Sequence, residues 1–263
     1  MPYASVNGTR LYYRTDGDRN SHAPWLVLAH ALGSDVSLWS PQIDALARAF
    51  RVLRYDARGH GRSDVPRGPY TIEGLADDAA GLLDVLAIER AHFCGLSMGG
   101  MTALAFGAHH AARASRLVVA MAAARNPLPQ AAWNERAALV RREGTRGLVE
   151  ATMERWLGPA FTAREPLVCA AVRDAIVHTE PEGYASCCEA IGAADLREGA
   201  AGLAMPTLVI GGAHDPSTAP QHTRELAASI PGARYVELDA RHLSNVEQAG
   251  AFTAAVLEFL QES

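Results

Sequence analysis

Short, nearly unbroken apolar runs recur along this chain, and each is followed by an amphipathic stretch. That alternation limits the fold more than any other feature. "WLVLAH" (25–30), "RVLRYD" (51–56), "AHFCGL" (91–96), "RLVVAM" (116–121), "TLVIGG" (207–212) and "RYVELD" (234–239) are too short for helices and rich in residues that favour strands. Continuous rather than alternating apolarity means burial on both faces, as in parallel strands sandwiched between helix layers. The amphipathic segments 72–86, 98–110, 221–230 and 249–261 supply those helices. The pattern predicts an α/β fold with a mostly parallel, doubly wound sheet. In "YASVNGTRLYYRTDG", Asn7-Gly8 separates two β runs and predicts an antiparallel hairpin at one edge. From "ARNPLP" to "DLREG" the alternation stops and the sequence reads as helical throughout. The expected organisation is a core of residues 1–124 and 198–263, interrupted by a helical cap subdomain at 125–197. A chain of 263 residues is long enough to bury such a core.

Composition removes several classes of function. The net charge of −5 offers nothing to nucleic acid or an anionic membrane, so neither is expected as a partner. All 24 basic residues are arginine. Without lysine there is no Schiff-base chemistry, no pyridoxal phosphate attachment and no P-loop lysine. The ten histidines form no HxH or HExxH pattern, so no metal site is expected. The opening "MPYASVNGTR" lacks the apolar stretch of a secretory signal, and no apolar run has membrane-spanning length. Cys94, Cys169, Cys187 and Cys188 form no CxxC pair and read as reduced thiols of a cytoplasmic protein.

The chemistry begins at Gly95-Leu96-Ser97-Met98-Gly99, a G-x-S-x-G between an expected strand and an expected helix. A serine on that sharp turn projects from the carboxyl edge of the sheet, and the glycines let strand and helix backbones approach. The following helix N-terminus favours developing negative charge. A serine nucleophile needs a base, and the base needs an orienting carboxylate. In sheet-and-helix hydrolases of this layout the acid and then the base follow the serine along the chain. Asp215, in "VIGGAHDPSTAP", and His242, in "VELDARHLSNVE", fit that order, each just beyond a strand. His214 is too close to Asp215 to be oriented by it, and Asp239 too close to His242 to lie behind its ring. Asp56 ends a strand but lies in "DARGHGRSD", where turn structure and salt bridging account for it. An oxyanion hole needs two converging backbone N–H groups. Met98, directly after the serine, and Leu32, in "HALGSD", are the candidates. Cys94 faces the sheet interior and is assigned to packing.

With these residues placed, the chain resembles the α/β-hydrolases along essentially its whole length, including "DARGHGRS" (56–63). "FCGLSMGG", "WNER" (133–136), "EGYASCCEAI" (182–191) and "AADLRE" (193–198) narrow the resemblance to the 3-oxoadipate enol-lactonases; "GGAHDPSTAP" and "RHLSNVEQ" fit the same family. The resemblance implies an α/β-hydrolase fold with a helical cap, and a serine esterase of the β-ketoadipate pathway of aromatic catabolism. It implies ring opening of a small lactone to 3-oxoadipate through an acyl-enzyme, with no cofactor. The lactone carries a carboxylate, and a buried anion needs a charge-assisted partner. Arg136 is the first candidate, with Trp133 as a pocket wall, and Arg155 beside Trp156 the second. Two positions depart from the wider superfamily: Ala31 replaces the usual glycine after His30, and Arg241 stands where small residues are frequent. A general carboxylesterase or cofactor-free perhydrolase would share Ser97, Asp215 and His242 without the cap motifs. A non-catalytic ligand-binding protein is the remaining alternative. Homo-oligomerisation is left open.

Overall fold

The computed structural model describes residues 2–17 and 22–262. Eight strands form one sheet: β1 (Tyr3–Val6), β2 (Thr9–Asp16), β3 (Trp25–Ala29), β4 (Arg51–Tyr55), β5 (Ala91–Leu96), β6 (Ala114–Ala120), β7 (Thr207–Gly212) and β8 (Arg234–Leu238). Their order is β1-β2-β4-β3-β5-β6-β7-β8. The six apolar runs are the six parallel strands. The amino-terminal pair is antiparallel, and Val6 faces Thr9 across a turn in which Asn7 and Gly8 both have positive φ, 46° and 74°.

Twelve α-helices lie among the described residues. α1 (Ser40–Leu46), α2 (Ile72–Val85) and α3 (Met98–His109) belong to the first half of the sheet, and α10 (Pro220–Ser229), α11 (Ser244–Glu247) and α12 (Ala249–Leu260) to the second. Between β6 and β7 lie only helices: α4 (Gln130–Glu143), α5 (Val149–Trp156), α6 (Pro159–Arg164), α7 (Pro166–His178), α8 (Pro181–Ala193) and the short α9 (Arg197–Ala201). Pro159, Pro166 and Pro181 each begin a helix, where the missing N–H costs nothing and the fixed φ suits the first turn. The insertion closes at a neck in which Arg125 bridges Asp195 and Leu196 donates its N–H to the Ala124 carbonyl at 2.7 Å. Among the described residues no helix is long and apolar enough to cross a membrane.

Strand residues divide between two apolar layers as the pleat requires. Val27, Leu53, Phe93, Val119 and Val209 pack with α2 and α3 on one face. Leu26, Leu28, Val52, Cys94, Val118 and Ile210 pack with α12 on the other. Cys94 is therefore a core residue; its burial pushes the thiol far up from its ordinary range, away from nucleophilic use.

The insertion is seated on the core by backbone contact. A Cβ on Gly183, in the first turn of α8, would lie 2.1 Å from the Gly59 carbonyl oxygen, and one on Gly59 would lie 2.5 Å from the Gly183 Cα. Two backbones this close leave no room for a methyl group. Gly183→Ala is expected to cost about 1–3 kcal/mol through overpacking, measured as a lower urea midpoint with unchanged m-value.

Candidate active site

Parallel strands bring their carboxyl ends to one edge, and ligands bind there at the point where strand order reverses. Here that point lies between β3 and β5, with Ala29 beside Gly95. The loop after β3 carries Leu32, and the turn after β5 carries Ser97. The loops after β7 and β8, two and three strands further along, carry Asp215 and His242.

Ser97 has φ 58° and ψ −115°, a conformation a residue with a β-carbon resists. Its surroundings hold it there. The Ser97 N–H donates to the Ala120 carbonyl of β6 at 2.8 Å, and its carbonyl accepts from Met101 N–H at 2.9 Å. A Cβ on Gly95 would come within 1.9 Å of the Gly99 oxygen, so strand and helix cross at a separation only glycine permits.

The structure brings the three sequence-selected residues into one hydrogen-bonded line. Ser97 Oγ lies 2.8 Å from His242 Nε2, and His242 Nδ1 lies 2.7 Å from Asp215 Oδ2. The second carboxylate oxygen, Oδ1, accepts from the N–H groups of Ser217 at 2.7 Å and Thr218 at 3.1 Å. The Thr218 hydroxyl donates in turn to the Met121 carbonyl, tying the acid loop to the end of β6. With Asp215 accepting on the far side, Nδ1 carries the hydrogen and Nε2 is free to take a proton from Ser97. Asp215 and His242 are buried, while Ser97 is partly open to the cavity. The competing pair is elsewhere: His214 contacts Asp239 at 2.8 Å on the surface.

Met98 and Leu32 border the same cavity as Ser97. Neither N–H is bonded to another described residue, so both are available to a ligand. Two histidines that sequence reasoning passed over fix the loop around Leu32. His30 Nε2 accepts from Ala57 N–H at 2.9 Å, which leaves Nδ1 to donate to the Ala31 carbonyl at 2.8 Å. His60 Nε2 accepts from Gly33 N–H at 3.0 Å, and its Nδ1 lies 3.3 Å from the Arg58 carbonyl. The rings are 5.2 Å apart. Ala31 is not among the residues with positive φ, so a side chain is tolerated where the superfamily prefers glycine. Asp56, expected to form a salt bridge, instead accepts from two main-chain amides, Val36 at 2.7 Å and Arg62 at 2.8 Å. Its carboxylate organises the turn through backbone donors.

The cavity in front of Ser97 has a volume of about 280 Å³ and includes Trp133, Arg136, Arg155, Trp156 and Tyr184. All three residues expected to bind substrate (Trp133, Arg136 and Trp156) line it. The Arg136 guanidinium lies 5.7 Å from the Trp133 ring centroid and 5.5 Å from that of Tyr184, and it donates to the Tyr184 hydroxyl at 2.6 Å. Its buried Nε has no partner. Trp156 stacks on His242, with ring centroids 6.3 Å apart. Among the described residues no carboxylate lies within ion-pair distance of Arg136 or Arg155. Burial first, and the neighbouring Arg136 second, lower the Arg155 pKa from its ordinary value. Two cations therefore share a small cavity without a counter-charge. Tyr184 is a pocket residue that sequence reasoning missed; its signal was its place inside "EGYASCC". A larger cleft of about 780 Å³ shares Ala123, Asn126, Pro127 and Leu128 with this cavity but contains none of Ser97, Asp215 and His242.

The alpha/beta hydrolase fold family matches residues 24–249. The chain is 39% identical to 3-oxoadipate enol-lactonase 1 of Acinetobacter baylyi, covering 93% of this chain and 91% of that protein. Among solved structures, the enol-lactonase from Burkholderia xenovorans LB400 is 55% identical, with a TM-score of 0.97 over 99% of this chain and 100% of that one. A hydrolase from Pseudomonas aeruginosa PA01 is 43% identical, with a TM-score of 0.94 over 99% and 98% of the two chains.

The histidine framework behind the Leu32 loop makes stability depend on pH. Burial first, and His30 second, push the His60 pKa down to about 3. The unfolded chain, with a histidine pKa of about 6.5, then binds the extra proton first as pH falls. Stability is full above about pH 6.5 and declines towards pH 3. Between about pH 7.5 and pH 5 the His60 contribution is a loss of about 2 kcal/mol. His60→Gln keeps an acceptor for Gly33 N–H, and urea denaturation at both pH values should show that part of the loss removed.

Proposed function

This chain belongs to the α/β hydrolase fold family and, within it, to the 3-oxoadipate enol-lactonases; from that membership we propose that it opens the ring of 3-oxoadipate enol-lactone with Ser97 as nucleophile, His242 as base and Asp215 as the carboxylate orienting the base. The supporting observation is the placement of the Ser97–His242–Asp215 line and two unpaired arginines around one small cavity.

Ser97 Oγ attacks the lactone carbonyl as its proton passes to His242 Nε2. The imidazolium that forms is stabilised by Asp215. The N–H groups of Met98 and Leu32 hold the tetrahedral oxyanion. Collapse breaks the ring C–O bond, and the enol oxygen leaves as a better leaving group than an ordinary alkoxide. It stays tethered to the acyl chain and takes the proton from His242. Water, deprotonated by His242, then attacks the acyl-enzyme and releases Ser97. Tautomerisation of the enol gives 3-oxoadipate. These steps draw on protein groups and water alone. The reaction belongs to aromatic catabolism by the β-ketoadipate route. Residues 125–197 act as the cap over this chemistry. With all four cysteines unpaired, the reducing cytoplasm is the compartment proposed.

The substrate carboxylate is assigned to Arg136 and Arg155. Bringing two cations into one cavity is costly, and an anion between them offsets that cost through charge-assisted hydrogen bonds. Trp133, Tyr184 and Trp156 wall the remaining space. A volume of about 280 Å³ lies at or below the lower end of drug-sized sites, about 300–1,000 Å³, and suits a small acid.

Turnover of freshly generated enol-lactone compared with aryl acetates tests the assignment. The lactone should be preferred in kcat/KM; aryl acetates winning by a large factor would make the protein a general carboxylesterase. Ser97→Ala should lower turnover by at least about a thousandfold with the fold retained by circular dichroism. Failure of a serine-directed probe to label Ser97 in the folded protein would point instead to a ligand-binding role. Arg136→Ala should raise KM for the lactone about tenfold to a hundredfold, the worth of one or two charge-assisted hydrogen bonds. A neutral aryl ester should change by no more than about twofold. Equal effects on both substrates would remove Arg136 from the carboxylate site.

A further inference from the structure

We propose that Glu247 is a positioning residue for His242, fastening the α5–α6 segment of the insertion to the loop that carries the base. This rests on Ser97 and His242 being nucleophile and base, and does not depend on which ester is the substrate.

Glu247 ends α11, one turn beyond the base. Its two carboxylate oxygens accept from main-chain donors on opposite sides of the site. Oε2 accepts from the Arg241 N–H at 2.6 Å, and Oε1 from the Gly158 N–H at 2.8 Å. Arg241 directly precedes His242, while Gly158 lies between α5 and α6. The residue after His242 is held from the same direction: Leu243 N–H donates to the Trp156 carbonyl at 3.0 Å. Arg241 completes the junction by donating its guanidinium to the Glu154 carbonyl. The unusual arginine beside the base thus reaches the insertion rather than the catalytic cavity.

The consequence for His242 follows from what else holds it. Its ring is bonded at Nδ1 to Asp215 and stacked on Trp156, and its Nε2 must stay within reach of Ser97 Oγ. The N–H groups on both sides of it in sequence are committed to Glu247 and to residue 156. The ring's position is thereby referenced to the insertion as well as to the sheet. A carboxylate can satisfy both amide donors, whereas a glutamine amide can offer oxygen to only one side and turns N–H groups towards the other. A Cβ on Gly158 would lie 2.5 Å from Glu247 Oε1, so an added methyl there pushes against the carboxylate.

Glu247→Gln and Gly158→Ala attack the contact from its two sides. A displacement of the base by about 1 Å is worth about a hundredfold in rate. Each variant should therefore lower kcat on an aryl acetate by about tenfold to a hundredfold, normalised to titrated active sites, with KM within about twofold. The rate of Ser97 labelling by a serine-directed phosphonate should fall in parallel. The double variant should fall no further than the more impaired single one, since both break one contact. Unchanged normalised kcat in the Gly158→Ala protein, or effects that multiply in the double variant, would overturn the proposal even if Glu247→Gln folds poorly. Absence of Ser97 labelling in the unaltered protein would overturn the nucleophile assignment along with it.

Discussion

Ser97 sits at φ 58° and ψ −115°, and much of the molecule is arranged to keep it there. A backbone outlier of this kind costs of order 1–3 kcal/mol and persists only when its surroundings overdetermine it. Here β5 ends between two buried parallel neighbours, so the strand cannot bend aside. The whole of α3 up to Gly107 is buried, so the helix cannot swing outward either. The chain must therefore reverse within one residue, and a serine at that residue projects at the sheet edge. The same crowding frees the Met98 N–H at the start of α3, because a helix leaves its first amides without internal partners. The projecting Ser97 hydroxyl and the unbonded Met98 N–H are two consequences of one constraint.

The rest of the site divides between the two parts of the chain. Sheet loops carry the residues proposed for the reaction: Asp215, His242 and Leu32 each follow a parallel strand. The inserted helices supply the surroundings, with Trp133 and Arg136 from α4, Arg155 and Trp156 from α5, and Tyr184 from α8. Tyr184 joins the two, since its hydroxyl accepts from Arg136 while its ring lies against Gly33 in the Leu32 loop. The electrostatics follow the same division. In the core, arginines meet aspartates, as in Arg58 with Asp78 and Arg54 with Asp16. Inside the cavity Arg136 and Arg155 have no carboxylate partner. That contrast with the paired core arginines is the ground on which an anionic ligand is proposed for the cavity.

What the sequence reveals depends on how local the cause is. The six parallel strands were legible because burial on both faces leaves an unbroken apolar run in the text, and the edge hairpin because Asn7-Gly8 suits a single kind of turn. Ser97, Asp215 and His242 were legible because each lies just beyond such a run, so strand position alone placed them on one edge. Tyr184, His30 and His60 were not. Their roles come from contacts across 48 residues for Tyr184 with Arg136, and 27 for both His30 with Ala57 and His60 with Gly33. Nothing in the neighbouring sequence marks such pairings. Asp56 was half legible: the expected turn structure is present, while among the described residues the expected salt bridge is not. Its arginine neighbours in "DARGHGRSD" suggested an ion pair, but backbone amides meet the carboxylate first. Charge is visible in a sequence, whereas the direction of an N–H group is not.

The insertion is attached to the core in different ways at different points. At α8 the contact is glycine on glycine, Gly183 against Gly59, and fixes how close the helices approach the core. At the α5–α6 junction the contacts are hydrogen bonds to the residues flanking His242. At the neck, Asn126 accepts from both the Trp133 indole and the Leu128 N–H, and residues 126–128 form the wall shared by the catalytic cavity and the larger outer cleft. A shift at this wall would change the space offered to a substrate. A shift at the α5–α6 junction would also move the base, because the same segment carries Trp156. The cavity wall and the hydrogen bonds to the residues flanking His242 thus belong to different stretches of one insertion.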